Sequence, residues 1–267
     1  MIGGHEIAVV DREMLAARMV DDCFYNRKRR GPPRLIFDAN GQSVSLIGRN
    51  PDFAAAMAAA DLIHADGMSL VTASRILTAK PLPERIAVTD FIEDAAVAAG
   101  RHGLSFFILG GTDSRNEAAC DELRREYPDL RIVGRHHGYF DLSESSRICA
   151  LVRDSGADVL WVGLGRPLQE IWCARHRDEL EGVGWVKTCG GLLGFLAHEE
   201  RRAPRWMQRT NLEWLYRVMH DPMRLGARYL VTNPHAVYRM LLHTARQPVS
   251  LGGLPVGEKG MPVDARF

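Results

Sequence analysis

The sequence predicts an α/β domain with a mostly parallel sheet and helices on both faces, followed by a basic helical appendage. Two observations lead there. Short apolar runs alternate with helix-period segments from Arg34 to Val186, and such alternation implies βαβ crossovers and a sheet buried on both sides. Near Glu199 the strand signal stops, and arginines begin to interleave with aromatic and long apolar residues, as amphipathic helices require. The 267 residues, 46% of them hydrophobic and 25% charged, suffice for one large α/β core with an appendage. A core of that size needs neither disulfide nor metal for stability.

In chain order, the opening stretch holds one helix that ends in the basic Pro/Gly turn through Arg29-Arg30-Gly31-Pro32-Pro33. Leu35-Ile36-Phe37 reads as a strand and Phe53 to Ala60 as an Ala-rich helix. Leu62 to Ala65 is a second strand, and Met68 to Leu77 a helix. Ser105 to Leu109 is a strongly apolar strand that runs into Gly110-Gly111 and a helix through Glu126. Arg131-Ile132-Val133 follows; then Asp158 to Val162 leads into Gly163-Leu164-Gly165 and a further helix, and Val183 to Val186 closes the series. Residues 1–200 thus form a Rossmann-like α/β domain, 201–246 the helical appendage, and the Gly- and Pro-rich residues 247–267 are expected to be a disordered tail.

Composition narrows the function. Cys23, Cys120, Cys149, Cys173 and Cys189 are odd in number, widely spaced and free of C-x-x-C pairs, so they suggest neither a disulfide framework nor zinc, and a reducing cytosol suits them. Acidic residues sit early in the chain with no apolar core behind a basic start, so no secretory signal is expected. No apolar run reaches the roughly 20 residues of a membrane span. The net charge of +1 does not argue for nucleic acid, and no reader motif accompanies the arginines. The segment from Arg201 to Arg246 carries nine arginines against Glu213 and Asp221. A helix pair of this kind suits an anionic leaflet, or a solvated surface packed on the core.

Two strand-to-glycine junctions carry the chemistry. Leu109-Gly110-Gly111-Thr112 turns sharply at a strand's carboxyl end and offers the N–H groups of the next helix to a phosphate. Gly163-Leu164-Gly165-Arg166-Pro167 does likewise, with Pro167 at a first helical turn and Arg166 able to grip a phosphate bidentately. Both loops belong on one edge of the sheet, where α/β ligands bind; tight-turn duty is the plainer reading of each. Neither is a G-x-G-x-x-G fingerprint or a P-loop, which counts against a dinucleotide oxidoreductase or an NTPase. Asp66, between a strand and a helix, is either an N-cap or a base facing the ligand edge. Thr89-Asp90 raises the same choice and leans to capping. His136 and His137 are adjacent, so a strand would point them to opposite faces. The chain has no D-x-D motif, so no metal or other cofactor is expected, and arginines and helix N-termini would offset a diphosphate leaving group.

Taken together, these motifs resemble the WecG/TagA/CpsF glycosyltransferase family (glycosyltransferase family 26) from about Arg34 to Tyr229. The matching segments are Ala65-Asp66-Gly67, Pro83-Glu84-Arg85-Ile86 with Thr89-Asp90, Phe107 to Gly111, Gly138-Tyr139-Phe140, and Val162 to Glu170. Arg202 to Trp206, Leu212 to Arg217 and Asp221 to Arg224 continue them in order. The resemblance implies an inverting, metal-independent transferase that moves a sugar from a UDP-sugar to a polyprenyl-diphosphate-linked saccharide in surface polysaccharide synthesis. It places Asp66 as the general base that takes the acceptor hydroxyl's proton. It implies substrate contacts at Asn40, Gly67, Arg85, Thr89, Asp90, Gly110, Gly111, Tyr139, Gly163, Gly165, Arg166, Pro167, Gln169, Glu170 and Gly190. Arg202, Arg217 and Arg224 match an appendage that closes over the diphosphate and touches the membrane, which implies a cytoplasmic protein, peripheral on the inner face of the cell membrane. Some members self-associate, so a homo-oligomer is open.

Departures from the family pattern exist. Asp38 and Asn40 stand where Thr and Asn are usual, adding a carboxylate that competes for the base role. Gly194 replaces a usual Asp, and His198 a frequent Gly. The alternative they leave is a non-catalytic nucleotide-binding protein, a regulator or inactive paralogue of the same fold.

Overall fold

The computed structural model describes residues 1–210 and 212–245. Its elements run α1 (Arg12–Arg29), β1 (Arg34–Ala39), α2 (Gly41–Ile47), α3 (Pro51–Ala58), β2 (Leu62–Ala65), α4 (Met68–Leu77), α5 (Val88–His102), β3 (Ser105–Gly110) and α6 (Asp113–Glu126). They continue with β4 (Arg131–His136), α7 (Ser145–Asp154), β5 (Val159–Gly163), α8 (Leu168–Arg175), β6 (Trp185–Thr188), α9 (Leu192–Leu196), α10 (Arg205–Arg209), α11 (Glu213–His220) and α12 (Pro222–Leu242). The strands form one sheet in the order β2-β1-β6-β5-β3-β4, with every neighbouring pair parallel.

A parallel sheet must be covered twice, and the strand sequences show how. Leu35, Phe37, Leu109, Leu160, Val162 and Val186 face a layer made by α2, α3, α4, α7, α8 and α12. Ile36, Phe106, Ile108, Val159, Trp161 and Trp185 face the opposite layer of α1, α5, α6 and α9. Crossovers running toward the β2 edge (β1 to β2, β4 to β5, β5 to β6) place their helices in the first layer. The β3-to-β4 crossover runs the other way and uses the second. One hand of crossover produces that arrangement.

All six strands expected from the apolar runs are present, with edges moved by a few residues. The structure adds α2, whose start is a capping box: the Asn40 side chain accepts from Ser43 N, and the Ser43 hydroxyl accepts from Asn40 N. Two expectations are corrected. Thr89 and Asp90 do not cap α5; they lie within its first turn, the N-cap is Ala87, and Asp90 instead pairs with Arg202. His136 and His137 do not diverge, because β4 ends at His136 and the two rings lie 4.5 Å apart.

The C-terminal helices are docked on the α/β layers. Ala236 and Met240 of α12 join the core beside Val44 of α2. Beyond the helix the chain meets the N-terminal segment, where Gly4 N donates to His243 O (3.0 Å) and Ala245 N to Met1 O (3.2 Å). The expected tail over residues 247–267, with Arg246, lies outside the described residues.

At the end of the sheet away from those helices, Asp158 ties three elements. It accepts both Arg27 Nε (2.6 Å) and Nη2 (2.8 Å) from α1, and Ser105 N (2.7 Å) and Oγ (2.9 Å) from β3. Asp158→Ala leaves the buried Ser105 N without its acceptor and takes the carboxylate from Arg27, which keeps its bond to Gly103 O. It is expected to lower the unfolding free energy by about 2–3 kcal/mol, because orphaned buried donors lose their solvation without replacement. Urea denaturation followed by far-UV circular dichroism checks this; an unchanged midpoint would refute it.

Candidate active site

Loops leaving the C-terminal ends of the strands converge on a cleft of about 740 Å³. A gap forms there because neighbouring strands send their chains to opposite faces: α2 and α8 to one layer, α6 and α9 to the other. Asp38 and Asn40 reach the cleft from the end of β1, Asp66 and Gly67 from the end of β2, and Gly190 from the turn after β6. Gly163 ends β5, the β5–α8 turn contributes Gly165 and Arg166, and Gln169 follows on α8. Arg85 and Thr89 form the wall beside α5, while Gly111 and the exposed Tyr139 border the β3–β4 side. Gly110, Pro167, Glu170, Asp90 and Arg202 are not on the cleft surface. The backbones of Arg217 and Arg224 belong to α11 and α12, and their side chains lie outside the described residues.

The two glycine junctions are adjacent. Gly110 has φ of 143°, and a Cβ there would lie 2.5 Å from the carbonyl oxygen of Gly163. Only glycine lets β3 and β5 finish that close together. Asn116 of α6 ties the junction down, donating to Gly110 O (2.9 Å) and His136 O (3.0 Å). Thr112 caps α6, accepting from Arg115 N.

Under the cleft lies a buried charge network. The Arg166 guanidinium donates through Nη2 to Asp38 Oδ2 (2.7 Å), through Nη1 to Asn40 Oδ1 (3.0 Å) and through Nε to Glu170 Oε1 (2.8 Å). This setting differs from the open phosphate grip that the sequence suggests, since each nitrogen already has a protein acceptor. Lys187 Nζ (3.3 Å) and Thr188 Oγ1 (3.2 Å) also donate to Asp38 Oδ1. Burial alone would raise the Asp38 carboxyl, but Arg166 and Lys187 outweigh it and hold the group well below the usual carboxylate range. Asp38 is therefore a lasting counter-ion in this arrangement. Its neighbour on β2, His64, is lowered by burial to about 3 and stays neutral.

Asp66 is set differently. Its Oδ2 accepts from Asn40 Nδ2 (3.1 Å) and its Oδ1 from Val88 N (3.2 Å). It does cap a helix, though not its own: Val88 opens α5, whereas α4 begins after Gly67 with no side-chain cap. Burial pushes the carboxyl up, Asp38 adds to this, and Arg85 offsets part of it. A carboxylate so placed holds a proton more readily than one in water.

Sequence reasoning missed several lining residues, because they come from elements remote in the chain. Trp214 of α11 and Tyr229 of α12 pack with ring centroids 5.8 Å apart on the wall beneath the appendage. Arg85 bonds Glu213 of α11 (2.7 Å), and Arg202 bonds Asp90, so the appendage is pinned to the α5 wall. Lys187 left one signal: a lysine within the apolar strand Trp185–Thr188 demands a buried partner. Among the described residues, Cys149, His176 and Glu179 are the one grouping with metal-ligand geometry, and none of the three lines the cleft. His176 is already bonded to Glu179 (2.7 Å).

The model of the glycosyl transferase WecG/TagA/CpsF family matches residues 1–249. The chain belongs to that family. It is a glycosyltransferase. Two relatives from Staphylococcus aureus, strains MW2 and NCTC 8325 / PS 47, are each 31% identical over 191 residues, 72% of this chain and 74% of theirs. Both are named N-acetylglucosaminyldiphosphoundecaprenol N-acetyl-beta-D-mannosaminyltransferase. For this glycosyltransferase the glycine junction gives a direct expectation. Gly110→Ala drives a Cβ into the Gly163 carbonyl, which cannot retreat, and should cost about 2–4 kcal/mol from overpacking and backbone strain together. Thermal unfolding measures it, and a variant that melts with the parent would remove the close approach as a constraint.

Proposed function

We propose that this glycosyltransferase moves a sugar from a UDP-sugar to a saccharide carried on a polyprenyl diphosphate, with inversion and without a metal ion. The observation that carries the reading is Asp66: a carboxylate with both oxygens held, its proton affinity raised by burial, at the ligand edge of the sheet. In the step, the acceptor hydroxyl oxygen attacks the anomeric carbon as its proton passes to Asp66. The bond from that carbon to the diphosphate oxygen breaks, and UDP leaves with the electron pair. A base placed within hydrogen-bond reach contributes about 10²–10⁴-fold to such a step. The β3–α6 and β5–α8 junctions would meet the leaving diphosphate with backbone N–H groups, which are preorganised and need no metal. The names of the relatives support a lipid-linked diphosphate acceptor.

The appendage suits such an acceptor. No helix is long and apolar enough to cross a membrane among the described residues. On α12, Met223, Leu230, Val237 and Leu241 recur at helical spacing and are all exposed, and Met219 of α11 and Trp206 of α10 extend the apolar set. An exposed stripe of this kind beside an arginine-rich sequence lies in an interface and draws on anionic lipid. The protein then works on the cytoplasmic membrane surface, with its acceptor's lipid left in the bilayer.

Two measurements check this. UDP release, assayed in EDTA with a panel of UDP-sugars and polyprenyl-diphosphate-linked saccharides, is expected to need one donor and the lipid together. Asp66→Asn should reduce it at least a hundredfold while UDP binding by calorimetry persists. Full release by Asp66→Asn would remove the base assignment, and UDP binding without release from any donor would favour a non-catalytic protein. Flotation with anionic vesicles should weaken as salt rises and be lost in Met223→Glu/Leu230→Glu. Unchanged flotation would place the membrane contact elsewhere.

A further inference from the structure

Arg166 makes more bonds than a turn residue requires. Besides Asp38 Oδ2, Asn40 Oδ1 and Glu170 Oε1, its Nη2 donates to the Asp38 carbonyl oxygen (2.9 Å). The consequence falls on Asn40. Its amide oxygen accepts not only from the guanidinium but also from Gln42 N (3.1 Å) and Ser43 N (3.3 Å) at the start of α2. With three donors on that oxygen, the amide nitrogen has one direction left, toward Asp66 Oδ2. A flipped amide would set its NH₂ against those donors and turn its oxygen on a carboxylate.

We propose that Arg166 is a positioning residue for Asp66: anchored by Asp38 and Glu170, it locks Asn40 in the single orientation that donates to the Asp66 carboxylate. The catalytic meaning rests on the reading of Asp66 as the base; the hydrogen-bond chain is testable without any substrate.

The same groups set the charge around Asp66. Facing it are Asp38 from β1, Arg166 from the β5–α8 turn, and Arg85 from the segment before α5, itself paired with Glu213 of α11. Lys187 of β6 and His64 of β2 stand behind Asp38. Asp38 favours the protonated form of Asp66, whereas Arg85, the Asn40 hydrogen bond and Arg166 favour the anion. Substitutions at two contacting positions must therefore act with opposite sign. Asp38→Asn removes a facing anion, so Asp66 should titrate at lower pH. Arg166→Gln removes a facing cation and frees Asn40, so Asp66 should titrate at higher pH. Each shift should be about one pH unit, the usual size for a charge at this range.

The experiment is a pH titration of the full chain with Asp labelled at ¹³Cγ, followed by NMR, with the Asp66 resonance assigned by its loss in Asp66→Asn. Midpoints that move apart in the two variants support the proposal. Equal midpoints, or shifts of one sign, overturn it. So does an Arg166→Lys variant that titrates with the parent's midpoint, since it keeps the charge but loses the Nη1 bond to Asn40. Where a single variant does not fold, Asp38→Asn/Arg166→Gln removes one charge of each sign together. In that variant the Asn40 side-chain NH₂ should exchange with solvent about tenfold faster than in the parent, as expected when a hydrogen-bond anchor of roughly 1.4 kcal/mol is lost. Unchanged exchange overturns the proposal. Turnover of Asp66→Asn separates the two readings: an active variant removes the base assignment and leaves the titration result standing.

Discussion

The contact on which the site depends is the buried fork of Arg166. It joins the end of β1, through Asp38 and Asn40, to the first turn of α8, through Glu170. Two strand ends that the sheet order keeps apart, those of β1 and β5 with β6 between them, are thereby fixed on one charge. A buried cation is tolerable only when its partners repay the lost hydration, and breaking such a network from one side typically costs about 3–5 kcal/mol. Lys187 and Thr188 complete the arrangement by placing donors on the remaining Asp38 oxygen. The floor of the cleft is consequently cross-linked, and Asp66 is held by residues that are themselves held.

The walls follow a different logic. On the β3–β5 side they are backbone, brought together where glycine permits strands to end in contact. On the α5 side they are salt-bridged, with Arg85 reaching Glu213, and the Arg202–Asp90 pair ties the appendage to α5 off the cleft surface. On the appendage side they are aromatic, through Trp214 and Tyr229. A polar floor with one aromatic wall suits a ligand that combines a flat ring, a sugar and a diphosphate, because each part meets a surface of matching chemistry.

Much of this was legible in the sequence, for physical reasons. Buried parallel strands are continuous apolar runs, so Ser105 to Leu109 and Asp158 to Val162 declared themselves. Helix α2 did not, because seven residues give too little periodicity, although Asn40 and Ser43 in capping-box spacing were a usable clue. Asp66 was visible as a residue at the ligand edge. That it caps α5, 22 positions away, was not, since capping is read from neighbours in sequence. The fate of Asp38 was the least legible. An extra carboxylate reads as a rival base until Lys187, 149 positions on, arrives to neutralise it. Family resemblance supplied the chemistry that composition could not, and the geometry showed how differently the two carboxylates are set.

The meeting of the chain's first and last described residues carries a consequence for assembly. Gly3 N donates to Thr244 Oγ1 across 241 positions of sequence, and the neighbouring main-chain bonds lock the end of α12 onto the N-terminal segment. Contacts of such separation oppose a large loop entropy and need both ends of the chain present. A chain emerging from the ribosome can therefore complete its sheet and its Arg166 floor while one wall is still missing. The cleft acquires its aromatic side, and with it a site shaped for a whole substrate, only when synthesis has passed α12.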